Sequence, residues 1–120
     1  MKPKYHLFKN AKYAFEGIKA LIKNETAFRL ELIIIIPALI LSFFLELSLT
    51  HHLFLIFVLI LILITEALNS AIEACVDLVC EEWNEKAKIA KDCGSAAVFF
   101  SVCLALLVWL YTLGVLWIKN

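Results

Sequence analysis

Five residues with carboxylate, amide or hydroxyl side chains follow one another closely after a long apolar run. Residues 53–65 carry no charge, and the segment TEALNSAIEACVD then occupies residues 65–77. At about 100° per residue in a helix, the polar members of this segment share one face. They are Glu66, Asn69, Ser70, Glu73 and Asp77. An ionisable side chain in such an apolar setting costs several kcal/mol unless it meets protein or water, so the pattern predicts a functional site.

This combination of residue types suits phosphoryl transfer. Carboxylates at a water boundary bind Mg²⁺ through one or two oxygens and leave its other positions for water or phosphate. Lys91 and Asp92 add charge nearby, and a helix starting at Gly94-Ser95 would offer free amide groups to a phosphate. Glu66 lies deeper and could accept a proton from the hydroxyl of a lipid. No G-x-x-x-x-G-K-[ST] motif occurs, which excludes a P-loop nucleotide site.

A simpler interpretation is that the polar face only holds helices together. Asn69 and Ser70 would suffice for that purpose. Two carboxylates seven residues apart, with Glu25 available from another helix, exceed what helix association needs. The face therefore favours chemistry over packing.

The composition predicts one all-α membrane domain over residues 1–120. Hydrophobic residues make up 63% of the chain, the mean hydropathy is +0.91, and soluble domains are only about 45–50% apolar. The formal net charge is zero, so no nucleic-acid partner is indicated. The four cysteines form no C-x-x-C pair, so neither a zinc site nor a redox pair is predicted.

Three apolar stretches predict transmembrane helices over residues 28–49, 52–80 and 94–118. Residues 4–23 predict an amphipathic helix lying on the membrane surface, with Asn24 as the N-cap of the helix that follows and Glu25 in its first turn. From His52 the rise is about 21 Å to Glu66 and about 31 Å to Glu73, against a hydrocarbon core of about 30 Å. The polar face is thus expected to straddle one membrane surface.

The basic residues predict the orientation. Ten of the 11 Lys and Arg residues lie before or at the start of the first span or follow the second, and only Lys119 lies at the other side. The positive-inside rule therefore places the N-terminus and residues 81–93 in the cytoplasm. The ten are Lys2, Lys4, Lys9, Lys12, Lys19, Lys23, Arg29, Lys86, Lys88 and Lys91. Because three thin helices are not expected to enclose five polar side chains, the chain is also predicted to self-associate, with the polar face toward a neighbour.

Three segments of the sequence resemble the prokaryotic diacylglycerol kinases, the small integral-membrane lipid kinases. They are E-x-L-N-S-A-I-E-x-x-V-D at residues 66–77, N-E-x-A-F-R-x-E at 24–31 and A-K-D-x-G-S-A-A-V at 90–98. The resemblance covers nearly the whole chain in order. It implies a homotrimer in the bacterial inner membrane that transfers the γ-phosphate of ATP to diacylglycerol, giving phosphatidic acid.

The resemblance also implies residue roles. Glu66 would be the general base, Asn69 would orient the catalytic groups, and Glu25 and Glu73 would hold Mg²⁺. The nucleotide contacts that it implies are those of Glu25, Glu73, Asp77, Lys91, Asp92, Tyr13 and Gly17. The substrate contacts that it implies are those of Ser70, Arg29 and Glu31. The surface helix departs from the family pattern at Ala14, Phe15 and Glu16.

Alternative functions remain open at the level of sequence. The same fold could phosphorylate undecaprenol, because that lipid also presents one primary hydroxyl at the headgroup level. A small proton-coupled transporter would instead need a carboxylate near the midplane that is reachable from both sides. A non-enzymatic assembly subunit would leave the polar face without a purpose.

Overall fold

The chain forms four α-helices in the part that the computed structural model describes, residue 4 and residues 6–120. Their bounds are Leu7–Asn24 (α1), Thr26–Ser42 (α2), Leu49–Val79 (α3) and Glu85–Lys119 (α4). No strand occurs within those described ranges, so the predicted all-α class is confirmed. Lys2, one of the ten charges counted above, and Tyr5, within the predicted surface helix, lie outside the described residues.

Helix α1 is amphipathic and lies largely uncovered. None of its residues, Leu7 to Asn24, is buried, and Phe8 is 88% exposed. The predicted N-cap at Asn24 is wrong, because Asn24 is the last residue of α1 and Glu25 precedes α2 instead. The amide of Glu25 still donates to Leu21 O at 2.9 Å, so the last turn of α1 closes one residue later than predicted. The extended backbone of Glu25 then separates the two helices.

Helix α2 ends before the predicted limit of residue 49. It has 17 residues, or about 26 Å of rise, and includes Pro37. The amides of residues 43–45 each donate to a carbonyl three residues earlier, which winds the chain out of the helix. Ser48 then caps α3, accepting from the amide of His51 at 3.3 Å, so α3 begins three residues before the predicted His52.

Helices α3 and α4 are the two whose length and hydropathy suit a membrane span among the described residues. They have 31 and 35 residues, and the mean hydropathy of their apolar windows is 2.4 and 2.3. The prediction that a helix starts at Gly94 is wrong, because α4 begins at Glu85. Asn84 caps it by accepting from the amides of Lys86 and Ala87, at 2.9 and 3.2 Å. Gly94 therefore lies inside a helix, and its amide is not free for a phosphate.

The core lies between α2, α3 and α4, away from α1. Ile35, Val58, Leu59, Ile62 and Ala105 form its buried centre. Trp109 closes one side by donating its indole N–H to Leu55 O at 3.3 Å. The molecule measures 55 × 38 × 22 Å, so its long axis exceeds a hydrocarbon core of about 30 Å.

The outward faces of the bundle are apolar, as the lipid-facing surface of a membrane protein is. Ile33, Phe57 and Leu107 are 67%, 58% and 68% exposed, one on each of α2, α3 and α4. Such a large exposed apolar surface needs a membrane or a partner to cover it.

The two ends of α3 generate a prediction about topology. In a variant without the four native cysteines, a cysteine at Ser48 or Thr50 should react with a membrane-impermeant maleimide added to intact cells. A cysteine at Glu85, at the start of α4, should react only after lysis, because the positive-inside rule predicts that this end lies in the cytoplasm. The opposite labelling pattern would reverse the orientation and place the polar face in a compartment without ATP.

Candidate functional site

The polar face on α3 continues the line of core residues along the same helix. The buried aliphatic residues of α3 are Leu55, Val58, Leu59 and Ile62. Four residues after Ile62, on the same face, polar side chains replace the aliphatic ones. Glu66, Asn69 and Ser70 are buried as well, with exposed fractions of 6%, 7% and 8%. Glu73 is half-buried and Asp77 is exposed. The predicted polar face is confirmed, and its side chains change from buried at Glu66 to exposed at Asp77.

One chain encloses the deep half of this face. The expectation that three helices do not enclose all five side chains agrees with the structure, since Glu73 is half-buried and Asp77 is exposed, but three of the five are enclosed. The physical reason is the close approach of α4, where Gly94 is buried and has no side chain to hold the helices apart. Ser101, about two turns further along α4, is also buried, and its hydroxyl lies 2.8 Å from that of Thr65.

Asn69 links the deep half of the face to its open half. Its amide nitrogen donates to Glu73 Oε1 at 3.2 Å, one helical turn away. This hydrogen bond fixes which way the amide points and steadies the Glu73 carboxylate. The amide oxygen is buried and has no hydrogen-bond partner among the described residues.

Glu31 brings a second carboxyl group to Glu66. It lies on α2, and its side chain approaches that of Glu66. Within residues 6–120, no group donates to the buried Glu31 Oε2 or bonds to the Ser70 hydroxyl. Buried polar atoms are nearly always paired in proteins. These unpaired atoms and Asn69 Oδ1 are available to accept hydrogen bonds from a bound polar group.

The side chain of Arg29 stabilises the junction between α1 and α2, where Glu25 lies. Its guanidinium donates to Ile22 O at 2.7 Å, to Lys23 O at 3.0 Å and to the Thr26 hydroxyl at 3.0 Å. The backbone carbonyls at the end of α1 are otherwise without helical partners, so this contact satisfies them. Arg29 thereby sets the direction in which Glu25, which is half-buried, leaves the junction.

Two ion pairs occupy the open end of the site. Lys91 donates to Asp77 Oδ1 at 2.5 Å, and Lys88 donates to Asp92 Oδ2 at 2.6 Å. The hydrogen bond to Asp77 raises the pKa of Lys91 above its usual value, so the ammonium is charged at neutral pH. Such solvent-exposed pairs contribute little to stability. Phosphate oxygens can therefore replace either carboxylate at little cost.

A cleft of about 330 Å³ opens beside these ion pairs, and we call it the loop-side cleft. Its volume falls in the range of small-molecule sites, about 300–1,000 Å³. The turn between α3 and α4 supplies one wall, including the ring of Trp83. Its charged lining consists of Asp77, Glu81, Glu82, Lys88, Lys91 and Asp92.

A second cleft, of about 340 Å³, runs along the apolar half of the bundle from Glu31 to Trp109, and we call it the apolar cleft. Apart from Glu31 it is lined by aliphatic side chains, an alanine pair and the indole ring. It reaches the unpaired carboxyl group at one end, so an apolar chain lying in it would present a polar end group to Glu31 and Glu66.

Two predicted nucleotide contacts lie elsewhere on the chain. Tyr13 and Gly17 belong to α1, where the Tyr13 side chain is 56% exposed. A Cβ atom at Gly17 would meet no described atom within 4 Å. The structure thus brings Glu31, Glu66, Asn69, Ser70 and Glu73 together and leaves the α1 pair in the open.

No group of three or more His, Cys, Asp or Glu side chains is arranged to hold a metal ion among the residues that the structure describes. The carboxylates of Glu25 and Glu73 are nonetheless hard oxygen donors of the kind that Mg²⁺ prefers. Mg²⁺ is usually bound through one or two carboxylates together with water and substrate phosphates. The chemistry of these two side chains therefore suits a metal ion that would arrive with a nucleotide.

Sequence reasoning missed two features of the site. The role of Gly94 in bringing α4 against Asn69 was not foreseen, although A-x-x-x-G at residues 90–94 has the small-residue spacing of close helix packing. The apolar cleft was not foreseen either, because its walls come from three helices and no local pattern marks them.

An apolar helical bundle with a buried glutamate beside a half-buried one, an adjoining apolar cleft and a charged cleft at one end suits a small integral-membrane lipid kinase. A model of the family described as prokaryotic diacylglycerol kinase matches residues 12–113, and the chain belongs to that family.

Curated relatives agree with the family. The chain is 39% identical over 104 residues to a diacylglycerol kinase of Haemophilus influenzae, covering 87% of this chain and 88% of the relative. It is 38% identical over 103 residues to that of Escherichia coli K12, covering 86% and 84%. The corresponding protein of Pseudomonas aeruginosa is 38% identical over 97 residues, covering 81% and 79%.

The contacts of Arg29 generate a prediction that separates a structural role from a lipid-binding one. Replacing Arg29 by Gln should raise the Mg²⁺ concentration needed for half-maximal kinase activity by about 2- to 10-fold, since each lost hydrogen bond contributes about 0.5–1.5 kcal/mol. The KM for the lipid should stay within about twofold. Lys23→Gln removes a charge from the same junction without removing a side-chain hydrogen bond among the described residues, and it is the control. A raised lipid KM with an unchanged Mg²⁺ requirement would contradict the junction role.

Proposed function

We propose that this chain phosphorylates the hydroxyl of diacylglycerol with ATP at the cytoplasmic surface of the bacterial inner membrane, giving phosphatidic acid, and that Glu66 is the general base. The observation that carries the residue assignment is the group formed by the buried Glu66, Asn69 and Ser70 and the half-buried Glu31, with its unpaired acceptor atoms. It lies between the apolar cleft and the open, charged end of α3. A lipid hydroxyl and a nucleotide phosphate can meet there.

In the proposed reaction, the lipid hydroxyl donates its hydrogen bond to the carboxyl pair of Glu31 and Glu66. Glu66 takes the proton as the hydroxyl oxygen attacks the γ-phosphorus of ATP. One P–O bond forms to the lipid, the bond to the β-phosphate oxygen breaks, and ADP leaves. Positioning and proton removal are the main tasks left to the protein in such a transfer. Asn69 supports both by holding Glu73 and flanking Glu66.

Glu25 and Glu73 are the residues that would hold Mg²⁺. The bound ion would offset the negative charge of the ATP phosphates. Asn69 contributes by donating to Glu73 Oε1, which leaves the other carboxylate oxygen available. Arg29 contributes by fixing the junction that carries Glu25.

The loop-side cleft is the proposed nucleotide site. Lys91 would exchange Asp77 for a phosphate, and Asp92 would be released from Lys88 in the same way. The exposed ring of Trp83 offers a flat surface for a base. Tyr13 and Gly17 would reach the nucleotide only if α1 of this or a neighbouring chain lies across the cleft.

The apolar cleft is the proposed path for the acyl chain. It opens from the side of the bundle, so a lipid can enter without leaving the bilayer. Ser70, Glu31 and Arg29 were expected to contact the lipid, and the first two flank the place where its hydroxyl would lie. Aliphatic walls discriminate chain length weakly, by about 1–3 kcal/mol per methylene, so broad acyl-chain tolerance is expected.

We further propose that α2 is a third span and that three chains assemble. Its 17 residues rise about 26 Å, and local thinning of the bilayer or flanking residues can cover so small a mismatch. α1 would lie on the cytoplasmic leaflet, with its uncovered apolar side in the lipid and its lysines near anionic headgroups. The unpaired polar atoms and the exposed half of the α3 face favour a neighbouring chain beside the site.

The general-base role generates the next prediction. Glu66→Gln keeps the size of the side chain and removes its basicity, so kcat should fall by about 10²–10⁴-fold while the protein still assembles. Glu73→Gln should also raise the Mg²⁺ requirement, which Glu66→Gln should leave unchanged. Radiolabelled phosphate transfer from ATP in detergent micelles measures both effects. Glu46→Gln removes an exposed carboxylate at the far end of the bundle and serves as the control. Near-normal turnover in Glu66→Gln would refute the role.

The lipid substrate generates a separate prediction. Dioleoylglycerol and undecaprenol at equal mole fractions in mixed micelles should yield mainly phosphatidic acid when MgATP is added, since the relatives named above are diacylglycerol kinases. The reaction products can be separated by thin-layer chromatography. Preferential phosphorylation of undecaprenol would change the substrate and leave the lipid-kinase chemistry intact.

A further inference from the structure

Gly94 and Asn69 face each other where α4 crosses the polar end of α3. A Cβ atom built at Gly94 would lie 3.7 Å from Asn69 Cα and 3.2 Å from its Cγ, and it would overlap Asn69 Oδ1. The two helices therefore touch through the backbone of one and the amide group of the other. Only a residue without a side chain leaves room for this arrangement.

The amide group of Asn69 is confined on both sides. Its nitrogen donates to Glu73 Oε1 at 3.2 Å, which turns its oxygen toward Gly94. Asn69 is only 7% exposed, so the group cannot swing into solvent. A methyl group at position 94 would push the oxygen away and disturb the hydrogen bond to Glu73.

The other two glycines show that this contact is specific to one position. A Cβ atom at Gly17 or Gly114 would meet no described atom within 4 Å. Glycine inside a helix is less favourable than alanine, because it loses more backbone freedom on folding. Gly94 is the tenth residue of α4, so this disadvantage applies to it. The amide group of Asn69 occupies the space that a side chain at position 94 would fill.

We propose that Gly94 is a positioning residue for the kinase reaction, which acts by holding the Asn69 amide in place and, through it, the Glu73 carboxylate. This role rests on the proposed function, in which Asn69 and Glu73 serve catalysis and Mg²⁺ binding. It replaces the expectation that Gly94 begins a helix and binds phosphate through a free amide.

The test is a double-mutant cycle on the full chain in detergent micelles, with wild type, Gly94→Ala, Asn69→Ala and the double variant. The readouts are kcat, the KM for dioleoylglycerol, and the affinity for Mn²⁺ in the presence of a non-hydrolysable ATP analogue. Gly114→Ala is the matched control, since it makes the same change in the same helix where the added atom meets no described neighbour.

Gly94→Ala should lower kcat by about 10- to 100-fold, because small displacements of positioned groups have effects of that size. It should weaken Mn²⁺ binding and leave the lipid KM within about twofold. In the Asn69→Ala background, Gly94→Ala should lower kcat and Mn²⁺ affinity by less than about twofold, because the atoms that collide with the new methyl group are gone. Mn²⁺ affinity gives this comparison even where turnover is too slow to measure.

Two results would overturn the inference. One is a Gly94→Ala variant that behaves like Gly114→Ala, and the other is an equal loss in the wild-type and Asn69→Ala backgrounds. If Gly94→Ala fails to assemble, recovery of assembly in the double variant supports the contact, and failure to recover refutes it.

The same variants separate this inference from the proposed function. If Asn69→Ala has the turnover and Mn²⁺ affinity of the wild type, Asn69 has no catalytic role, and the positioning role of Gly94 is refuted as well. An impaired Asn69→Ala beside an unimpaired Gly94→Ala would overturn the positioning role alone.

Discussion

Polar side chains buried in an apolar bundle need partners, and the rest of this structure depends on how α3 and α4 supply them. The buried face of α3 changes from aliphatic residues to Glu66, Asn69 and Ser70 without leaving the same side of the helix. At the change, the hydroxyls of Thr65 and Ser101 lie 2.8 Å apart across the two helices. That contact, with the close approach at Gly94, fixes where the reactive groups lie relative to the apolar core below them.

The gradient along α3 explains how one small chain can handle two very different substrates. Glu66 and Asp77 are eleven residues apart, or about 17 Å along the helix, and the surroundings change over that distance from buried to open. In the proposed reaction, a lipid hydroxyl would lie at the buried end, where the apolar cleft terminates. A nucleotide would lie at the open end, where weak surface ion pairs can be exchanged for phosphate contacts.

The junction between α1 and α2 has a different physical basis. It involves little apolar burial, since no residue from Leu7 to Asn24 is buried. Three hydrogen bonds from the Arg29 guanidinium hold it instead. A junction held by polar contacts at the membrane surface can keep Glu25 near the water boundary while the apolar side of α1 rests on lipid.

The sequence by itself determined the helical class, the apolar spans near α3 and α4, the polar face of residues 66–77 and the family. The first three follow from composition and from a 3.6-residue period. The family follows from the resemblance of residues 24–31, 66–77 and 90–98. The sequence did not determine where helices end, since hydrogen bonds at Glu25, Ser48 and Asn84 decided those limits. Nor did it determine the meeting of Glu31 with Glu66 or of Gly94 with Asn69. Those contacts join residues 25 to 35 positions apart, and only the packing of one helix against another sets which side chains on them touch.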